Sequence, residues 1–347
     1  MIDAATEALA GPQPLAALAE LLVASSKSVP LPDLAASALA LRKSAPTDRT
    51  VWSITDILLY SQVPDYHWQM VADAPRNQAY ATAIQALVRP GMIVLEIGAG
   101  SGLLAMLAAR AGADHVFTVE ANPLMAEVAR ECIDRNGFSD RVTVISGHST
   151  ALTIGKEIPR KADALIHEIF SSDMLGENVL PSVAHAKAQL LSPDALLLPN
   201  EIAAIGALAR PPQLRLTDAM SVEGLDLSSL AAIDAAVQKY GPGRCQRLSD
   251  PTTLLNIDLT RFYPEQDRGY FALEATGSGV ASGIEQWMHI AFPDGTALVT
   301  DDAASHWQAC FHPFGTGVEV REGTLVELAA EFAPGRLTIG LARHGEN

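Results

Sequence analysis

The chain has 347 residues and a formal net charge of −16, from 24 Lys plus Arg against 40 Asp plus Glu. This length suggests two domains, or one domain with a large elaboration. An apolar fraction of 48% excludes wholesale disorder. The negative charge argues against a protein that coats nucleic acid, because no broad basic surface would neutralise phosphates.

The N-terminus carries acids where a signal peptide would carry Lys or Arg, and no run of about 18 apolar residues follows. We therefore predict a cytoplasmic protein without a membrane span. Cys132, Cys245 and Cys310 are odd in number and form no CxxC pair, which indicates a reducing compartment. No histidine and acid spacing suggests a metal site, so we assign no metal.

The first 50 residues form a predicted helical extension with a packing role. Leucines at positions 15, 18, 21 and 22 have helical spacing, and Leu34, Leu39 and Leu41 give a weaker second pattern. We expect two short helices that meet near Pro30 and Pro32.

Residues 51–199 have the sequence pattern of an α/β domain. Strands alternate with helices of about ten residues, which predicts a doubly wound parallel sheet. The predicted helices are 78–88, 103–110 and one that begins after Asn122, and the predicted strands are 93–97, 116–119, 142–145, 164–166 and 195–198.

Residues 200–347 have short alternating runs with Gly and Pro turns, such as 270–275, 287–292 and 337–341, which predict antiparallel β-structure. An apolar stripe of Leu227, Leu230, Ile233 and Val237 predicts one helix within it, from about Asp226 to Tyr240.

The strongest local signal is VLEIGAGSGLLAMLAARAGADHVFTVEAN, a predicted strand, glycine loop, helix and strand. Gly98, Gly100 and Gly102 allow a ligand to approach the backbone, and Glu120 ends the next strand, where a carboxylate can accept ribose hydroxyls. The GxGxG spacing, with Glu96 two residues before the first glycine, favours S-adenosyl-L-methionine (SAM) over a dinucleotide, which would need GxGxxG. A glycine-rich turn without any ligand is the least favoured interpretation.

The segment HEIFSSDMLGENVLP follows a strand that we expect to end at about His167. Glu168 and Glu177 lie nine residues apart, and a loop could bring both carboxylates to one pocket at the ligand-binding edge of the sheet. In isolation, Glu168 could be a solvated acid and Glu177 a helix N-terminal acid. Here the chain resembles the protein arginine methyltransferase family, whose double-E loop has two glutamates at this spacing.

The resemblance covers about 270 residues, from Tyr66 towards the C-terminus. In HWQMVADAPRNQAY, Arg76 matches the arginine that pairs with the SAM carboxylate, while Asp73 could simply start a helix. SHWQACFHPF resembles the family's THW loop. The resemblance implies catalytic roles for Glu168, Glu177 and His306, and substrate contacts for Trp307, Asp173 and Met70. The cofactor-binding residues that it and the glycine loop imply are Arg76, Glu96, Gly98, Gly100, Gly102, Glu120, Ala121, Ser149, Thr150 and Glu168.

The family likeness further implies a Rossmann-like SAM domain at 51–199 and a β-barrel substrate domain at 200–347. An inserted arm at about 206–250 would grip a second subunit in a homodimer. HST at 148–150 and Asp173 are closest to the type III, monomethylating branch, whose animal members are tandem repeats. The departures are His167 in place of Ser or Thr, and Tyr60 out of register with the family's YFxxY helix.

Two carboxylates can hold a guanidinium in a fork and leave its third nitrogen free to attack the SAM methyl group. We therefore predict methyl transfer to arginine in a protein or peptide, with S-adenosyl-L-homocysteine as product. Two alternatives stay open: methylation of a small guanidine or amine metabolite, and a SAM-binding scaffold without turnover. We predict no nucleic-acid or membrane partner.

Overall fold

The computed structural model describes residues 31–212, 221–229, 237–263, 267–301, 303–333 and 335–342. The predicted helix around Leu15 to Leu22 lies outside these ranges. Four helices come first in the described chain: α1 (Leu31–Ser44), α2 (Arg49–Gln62), α3 (Tyr66–Ala72) and α4 (Ala74–Leu87). Leu34 and Leu41 of α1 are buried, so the weaker leucine pattern does mark a packed helical face.

A five-stranded parallel sheet follows, in the order β3-β2-β1-β4-β5. Its strands are β1 (Ile93–Ile97), β2 (His115–Glu120), β3 (Val142–Ser146), β4 (Ala162–His167) and β5 (Leu191–Leu198). The connecting helices are α5 (Leu103–Ala111), α6 (Pro123–Arg135) and α7 (Val179–His185), with 3₁₀ turns at Ser149–Ala151 and Gly176–Asn178 and a π-helical turn at Ala186–Leu190. The predicted doubly wound sheet is confirmed.

The strands after β5 pair in antiparallel fashion, as predicted. A seven-stranded sheet contains the path β10-β6-β13-β15-β9, with β11 beside β6 and β14 beside β13. A three-stranded sheet, β12-β16-β17, and a hairpin, β7-β8, complete the set. The strands are β6 (Glu201–Arg210), β7 (Ser221–Val222), β8 (Leu225–Asp226), β9 (Gln238–Tyr240), β10 (Gln246–Arg247), β11 (Thr252–Asp258), β12 (Asp267–Glu274), β13 (Gly279–Ala291), β14 (Ala297–Val299), β15 (Ala309–Val320), β16 (Leu325–Ala333) and β17 (Arg336–Leu341).

The predicted helix from Asp226 to Tyr240 is wrong at both ends. Asp226 ends β8, Leu227 is exposed outside any helix, and β9 pairs with β15 from Gln238 onwards. Residues 230–236 lie outside the described ranges. Apolar spacing does not by itself distinguish a helix from short strands, because hydrophobic residues recur in both.

The predicted arm at 206–250 is also too long. Residues 206–210 belong to β6, which pairs with β13, and β10 pairs back onto β6. Both ends of the proposed arm are therefore part of the antiparallel sheet, because their backbone groups bond to its strands.

Buried side chains of the parallel sheet and of the antiparallel sheets join in one hydrophobic core, which includes Leu95 and Leu165 on one side and Ile284 and Met288 on the other. In the described part of the chain, no helix has the length and apolarity needed to cross a membrane.

Candidate active site

The glycine loop and the first glutamate lie side by side at the carboxyl edge of the sheet. β1 pairs with β2 on one side and β4 on the other, and the loops after β1 and β4 leave from this edge. Gly98 has φ +89°, and an added Cβ would come within 3.0 Å of Ile169 Cγ2, next to Glu168. Only glycine fits there comfortably, because the backbone is left-handed and the space is filled.

Glu120 holds the glycine loop in shape. Its Oε2 accepts a hydrogen bond of 2.9 Å from the Gly100 N–H, and its Oε1 accepts one of 2.8 Å from the Asn122 N–H. The carboxylate that was predicted to bind a ribose is therefore already fixed by the backbone. Each oxygen keeps a second lone pair with which it could accept from a ligand.

Glu96 lies beneath the loop and is almost fully buried. The Thr118 hydroxyl donates to its Oε2, while Oε1 is buried without a hydrogen-bond partner. Burial raises the pKa of Glu96 to about 8, with the Thr118 hydrogen bond and the charge of Arg76 opposing the rise. An unsatisfied buried acceptor is costly, so this oxygen fits a ligand that carries a donor.

Arg76 joins the N-terminal helices to β4. Arg76 lies on α4, and its Nη2 donates a hydrogen bond of 2.8 Å to Glu168 Oε2. Both side chains of this ion pair are buried. The Nε of Arg76 is buried without a partner, and the guanidinium carbon stands 5.1 Å from the centre of the Tyr80 ring. Arg76 therefore has a donor left for a negatively charged ligand group.

The loop between the two glutamates has an unusual backbone. Met174, Glu177 and Asn178 all have positive φ, at 75°, 61° and 57°. Each such residue costs energy, and structures retain this strain most often at functional sites. Gly176 has no room for a side chain, because an added Cβ would come within 2.0 Å of Ser171 Oγ.

Asp173 stabilises this loop through hydrogen bonds to other residues of the same loop. Its Oδ1 accepts from the Ser171 hydroxyl and, at 3.3 Å, from the Gly176 N–H. One oxygen of the predicted substrate-binding acid therefore stabilises the turn that presents Glu177.

The two glutamates share one electrostatic environment. Burial, followed by the negative charges of Glu168 and Glu120, raises the pKa of Glu177 to about 7. Burial also raises the pKa of Glu168, and Arg76 opposes it. Tyr66 of α3 lies within reach of these charges, since burial and then Glu177 raise the pKa of its hydroxyl to about 12. An acidic pocket of this kind is suited to a cation.

The antiparallel part closes the site through the segment before β15. Asp73 Oδ2 accepts from the backbone N–H of His306 and contacts its Nδ1, both at 2.8 Å. Burial opposes ionisation of Asp73, but the hydrogen bonds from His306 and the Arg76 N–H outweigh it and lower the pKa. The Trp307 indole donates to the Phe170 carbonyl at 2.9 Å, so the His306–Trp307 pair is fixed between α4 and the loop that follows β4.

The remaining predicted site residues lie around this centre. Ser149 is buried in its 3₁₀ turn, Thr150 and Ala121 are exposed, and Met70 is half-buried on α3. A groove of about 310 Å³ beside the end of β2 is lined by Gln62, Ala121, Asn122, Pro123 and Leu124.

The sequence missed three residues of this constellation. Asp73 looked like a helix-start acid and is one, since it accepts from the Arg76 N–H at 2.9 Å, but it also holds His306. Tyr66 and Tyr80 gave no signal that distinguished them from helix-packing aromatics. The spacing of Tyr80 four residues after Arg76 puts both on one helix face, which was the available clue.

Comparisons with known proteins agree with this geometry. An arginine N(omega)-methyltransferase from Streptomyces achromogenes subsp. streptozoticus is 36% identical over 287 residues, which are 80% of this chain and 79% of that protein. This chain belongs to the arginine N-methyltransferase family. It is a SAM-dependent methyltransferase.

Mouse protein arginine N-methyltransferase 7 is 39% identical over 152 residues, which are 39% of this chain and 22% of that protein. The sequence model for ribosomal protein L11 methyltransferase (PrmA) matches residues 78–189, which include the glycine loop and both glutamates. The chain thus spans most of the Streptomyces relative but under a quarter of the mouse one.

Among solved structures, the Trypanosoma brucei PRMT1 enzyme-prozyme heterotetrameric complex with AdoHcy superposes with a TM-score of 0.72 at 23% identity. It covers 82% of this chain and 96% of that one. At this identity the likeness shows the shared fold, a SAM-binding domain followed by a barrel-like domain.

Proposed function

We propose that this arginine N-methyltransferase family member transfers a methyl group from SAM to a guanidinium nitrogen of arginine in a protein or peptide, and releases S-adenosyl-L-homocysteine. The observation that carries the proposal is the double-E loop. Two glutamates with raised pKa stand at the carboxyl edge of the sheet, beside a buried arginine and under the His306–Trp307 pair.

The residues around the glycine loop fit SAM. The free Nε of Arg76 suits the carboxylate of its methionine part, and the unsatisfied Oε1 of Glu96 suits its ammonium group. Glu120 would accept from the ribose, and Ala121, Ser149 and Thr150 lie where the adenine would be expected. SAM supplies a methyl group on a sulfonium, which is the electrophile.

The glutamates would orient and polarise the acceptor. Arg76 binds Oε2 of Glu168, which leaves Oε1 to accept one N–H of the substrate guanidinium, while Glu177 accepts another. Positive charge drawn to these two nitrogens leaves the third with more lone-pair character. Preorganised charges in a site that excludes water are usually the largest contribution to such a rate, and positioning adds roughly 7 kcal/mol or more.

A proton must leave as the new N–CH₃ bond forms, because the methylated guanidinium returns to a single positive charge. Burial and the neighbouring negative charges raise the pKa of Glu177 to about 7, so its carboxylate can accept that proton. The His306 ring is held by Asp73 beside this site, so it can relay the proton away from the pocket.

The acceptor is tested directly by incubating the purified protein with SAM and three compounds: an Arg-rich peptide, free arginine, and the same peptide with Lys for Arg. We expect a mass gain of one CH₂ group on the Arg peptide and none on the Lys peptide, because lysine cannot bridge two carboxylates. Transfer to the Lys peptide at the same rate, or to none of the three compounds, contradicts the proposal.

Free arginine is a second candidate acceptor. One observation favours it: the Streptomyces relative, matched over most of its length, is named an arginine methyltransferase without the word protein. A kcat/KM for free arginine well above that for the peptide would select it.

Monomethylation and self-association are also part of the proposal. The matches to protein arginine N-methyltransferase 7 support the type III likeness without being specific to it. Trp52, Tyr60 and Trp68 of α2 and α3 are 45%, 63% and 75% exposed, and such an apolar surface supports a homodimer. Gel-filtration mass of Trp68→Glu would test this, since an unchanged dimer would exclude the α3 surface.

A further inference from the structure

Tyr80 contacts Arg76 and the peptide that leads into Glu168, so it lies beside both partners of the Arg76–Glu168 pair. It is fully buried on α4, with an exposed fraction of 0%. Its ring centre lies 5.1 Å from the guanidinium carbon of Arg76, on the same helix face. Its hydroxyl donates to the carbonyl of His167 at 2.9 Å.

The His167 carbonyl belongs to the peptide that leads into Glu168. β4 ends at His167, so the strand's ladder no longer fixes the direction in which the chain leaves. The hydroxyl of Tyr80 bonds the last carbonyl before the glutamate, and the His167 ring contacts the Pro199 carbonyl at 3.2 Å. These two bonds fix the orientation of the peptide from which the Glu168 side chain departs.

Tyr80 is itself fixed from the other side of the molecule. Its ring meets Phe292, just after β13, edge to face, with centroids 4.9 Å apart and an interplanar angle of 83°. Edge-to-face pairs have a defined geometry. Docking of the antiparallel part therefore determines where the hydroxyl and the ring surface of Tyr80 stand.

We propose that Tyr80 is a positioning residue for the transfer reaction: its hydroxyl sets the direction of Glu168, and its ring supports Arg76. This inference rests on the proposed function, because it assigns Glu168 to the acceptor and Arg76 to SAM. The hydroxyl and the ring of Tyr80 then affect different measured quantities, kcat and the Kd for SAM. The hydroxyl governs the acceptor step, and the ring governs SAM affinity.

Two substitutions separate the halves. Tyr80→Phe keeps the ring and should lower kcat about 10-fold, with the Kd for SAM within about twofold of wild type, since small misplacements of a reacting group are costly. Tyr80→Leu removes the ring as well and should also weaken SAM binding by about 10-fold. Replacement by 4-aminophenylalanine restores a donor and should return kcat to within about threefold of wild type.

Tyr263→Phe is the matched control. The Tyr263 hydroxyl also bonds a backbone group, accepting from the Asp258 N–H at 2.8 Å, but at the end of β11. We expect this variant to keep both kcat and SAM affinity.

The outcomes are distinct. A folded Tyr80→Phe protein with wild-type kcat overturns the inference, and so does equal loss of kcat in Tyr263→Phe. If Tyr80→Phe does not fold, a 4-aminophenylalanine variant that folds but remains 10-fold slow also overturns it, while full rescue supports it. Absence of transfer by wild type would instead contradict the proposed function, whatever the variants do.

Discussion

The cofactor side and the acceptor side of this site are built differently. On the cofactor side, partners are near in sequence: Glu120 bonds Gly100 and Asn122, which are 20 and 2 residues away. On the acceptor side, Glu168 accepts a hydrogen bond from Arg76 across 92 residues, and Asp73 bonds His306 across 233. The first can form as one strand–loop–helix–strand unit. The second needs distant segments to meet, because Arg76 of α4 must reach the end of β4 and the segment before β15 must reach Asp73.

This difference predicts that variants of the acceptor side should lose transfer while SAM binding survives. The largest expected effect is that of Glu168→Gln. We expect kcat to fall by about 10³-fold, because the buried charge that polarises the guanidinium is lost. The Kd for SAM should change by less than about fivefold, because the amide oxygen can still accept a hydrogen bond from Arg76. Mass spectrometry of reactions quenched at set times gives kcat, and calorimetry gives the Kd for SAM.

Glu274→Gln, at an exposed position of β12, is the control and should behave as wild type. A large loss of SAM affinity in Glu168→Gln would mean that Glu168 itself holds the cofactor, so the two sides of the site would not be separable in this way.

The next effect concerns the long-range pair. Asp73→Asn keeps an acceptor for the N-terminus of α4 but removes the charge that faces His306, and should lower kcat by about 10²-fold. His306→Ala should do the same. Because the two side chains act as one unit, the double variant should be little slower than either single variant.

Asp163→Asn is the control for Asp73→Asn and should keep the wild-type kcat. Asp163 also accepts a hydrogen bond from a backbone N–H, at 2.8 Å, but it lies at the opposite edge of the sheet from the site. If the losses of kcat in the two single variants of Asp73 and His306 add up in the double variant, these residues act separately.

A third prediction uses pH. Glu177 must be ionised to bind a cation, so kcat/KM should fall about tenfold per pH unit below its pKa of about 7. The same raised pKa also makes the stability of the fold depend on pH. Its contribution to the free energy of unfolding is present below the unfolded value of 4.5 and is lost as pH rises through about 7.

Glu177→Gln removes the charge repulsion, so we expect its Tm at pH 8 to exceed that of wild type by about 2–4 °C, with no difference near pH 4. Glu223→Gln is the control, because Glu223 also has a positive φ, 52°, but lies exposed in the β7-β8 turn. A Tm gain of Glu177→Gln that persists at pH 4 would point to backbone strain and away from charge.

The smallest expected effect is that of Asp173→Asn. The amide keeps the Oδ1 acceptor of the loop, so kcat should stay within about threefold of wild type. The negative charge of Asp173 contributes to the raised pKa of Glu177, so the acid limb of the pH profile should move to lower pH by a fraction of a unit. We also expect an altered ratio of mono- to dimethylated product; an unchanged limb and ratio would remove Asp173 from the acceptor site.

The parallel sheet, the glycine loop and the family likeness could all be predicted from the amino-acid sequence. Strand and loop signals are local, because the φ preference of Gly98 and the apolar run of β1 need no distant partner. It also placed Glu168 and Glu177, through their spacing. The predicted helix was wrong at Asp226 and from Gln238 to Tyr240, which lie in β8 and β9, since apolar spacing alone cannot distinguish a helix from short strands.

The contacts of the polar residues on the acceptor side, in contrast, depend on how the distant parts of the chain pack together. Asp73 reads as a helix cap and Tyr80 as a packing aromatic until β13 and the segment before β15 come to rest against α4 and β4. Hydrogen bonds and charge interactions depend on distances of a few ångströms. Between residues 87 to 233 positions apart in sequence, those distances are set by how the core packs and by no local propensity.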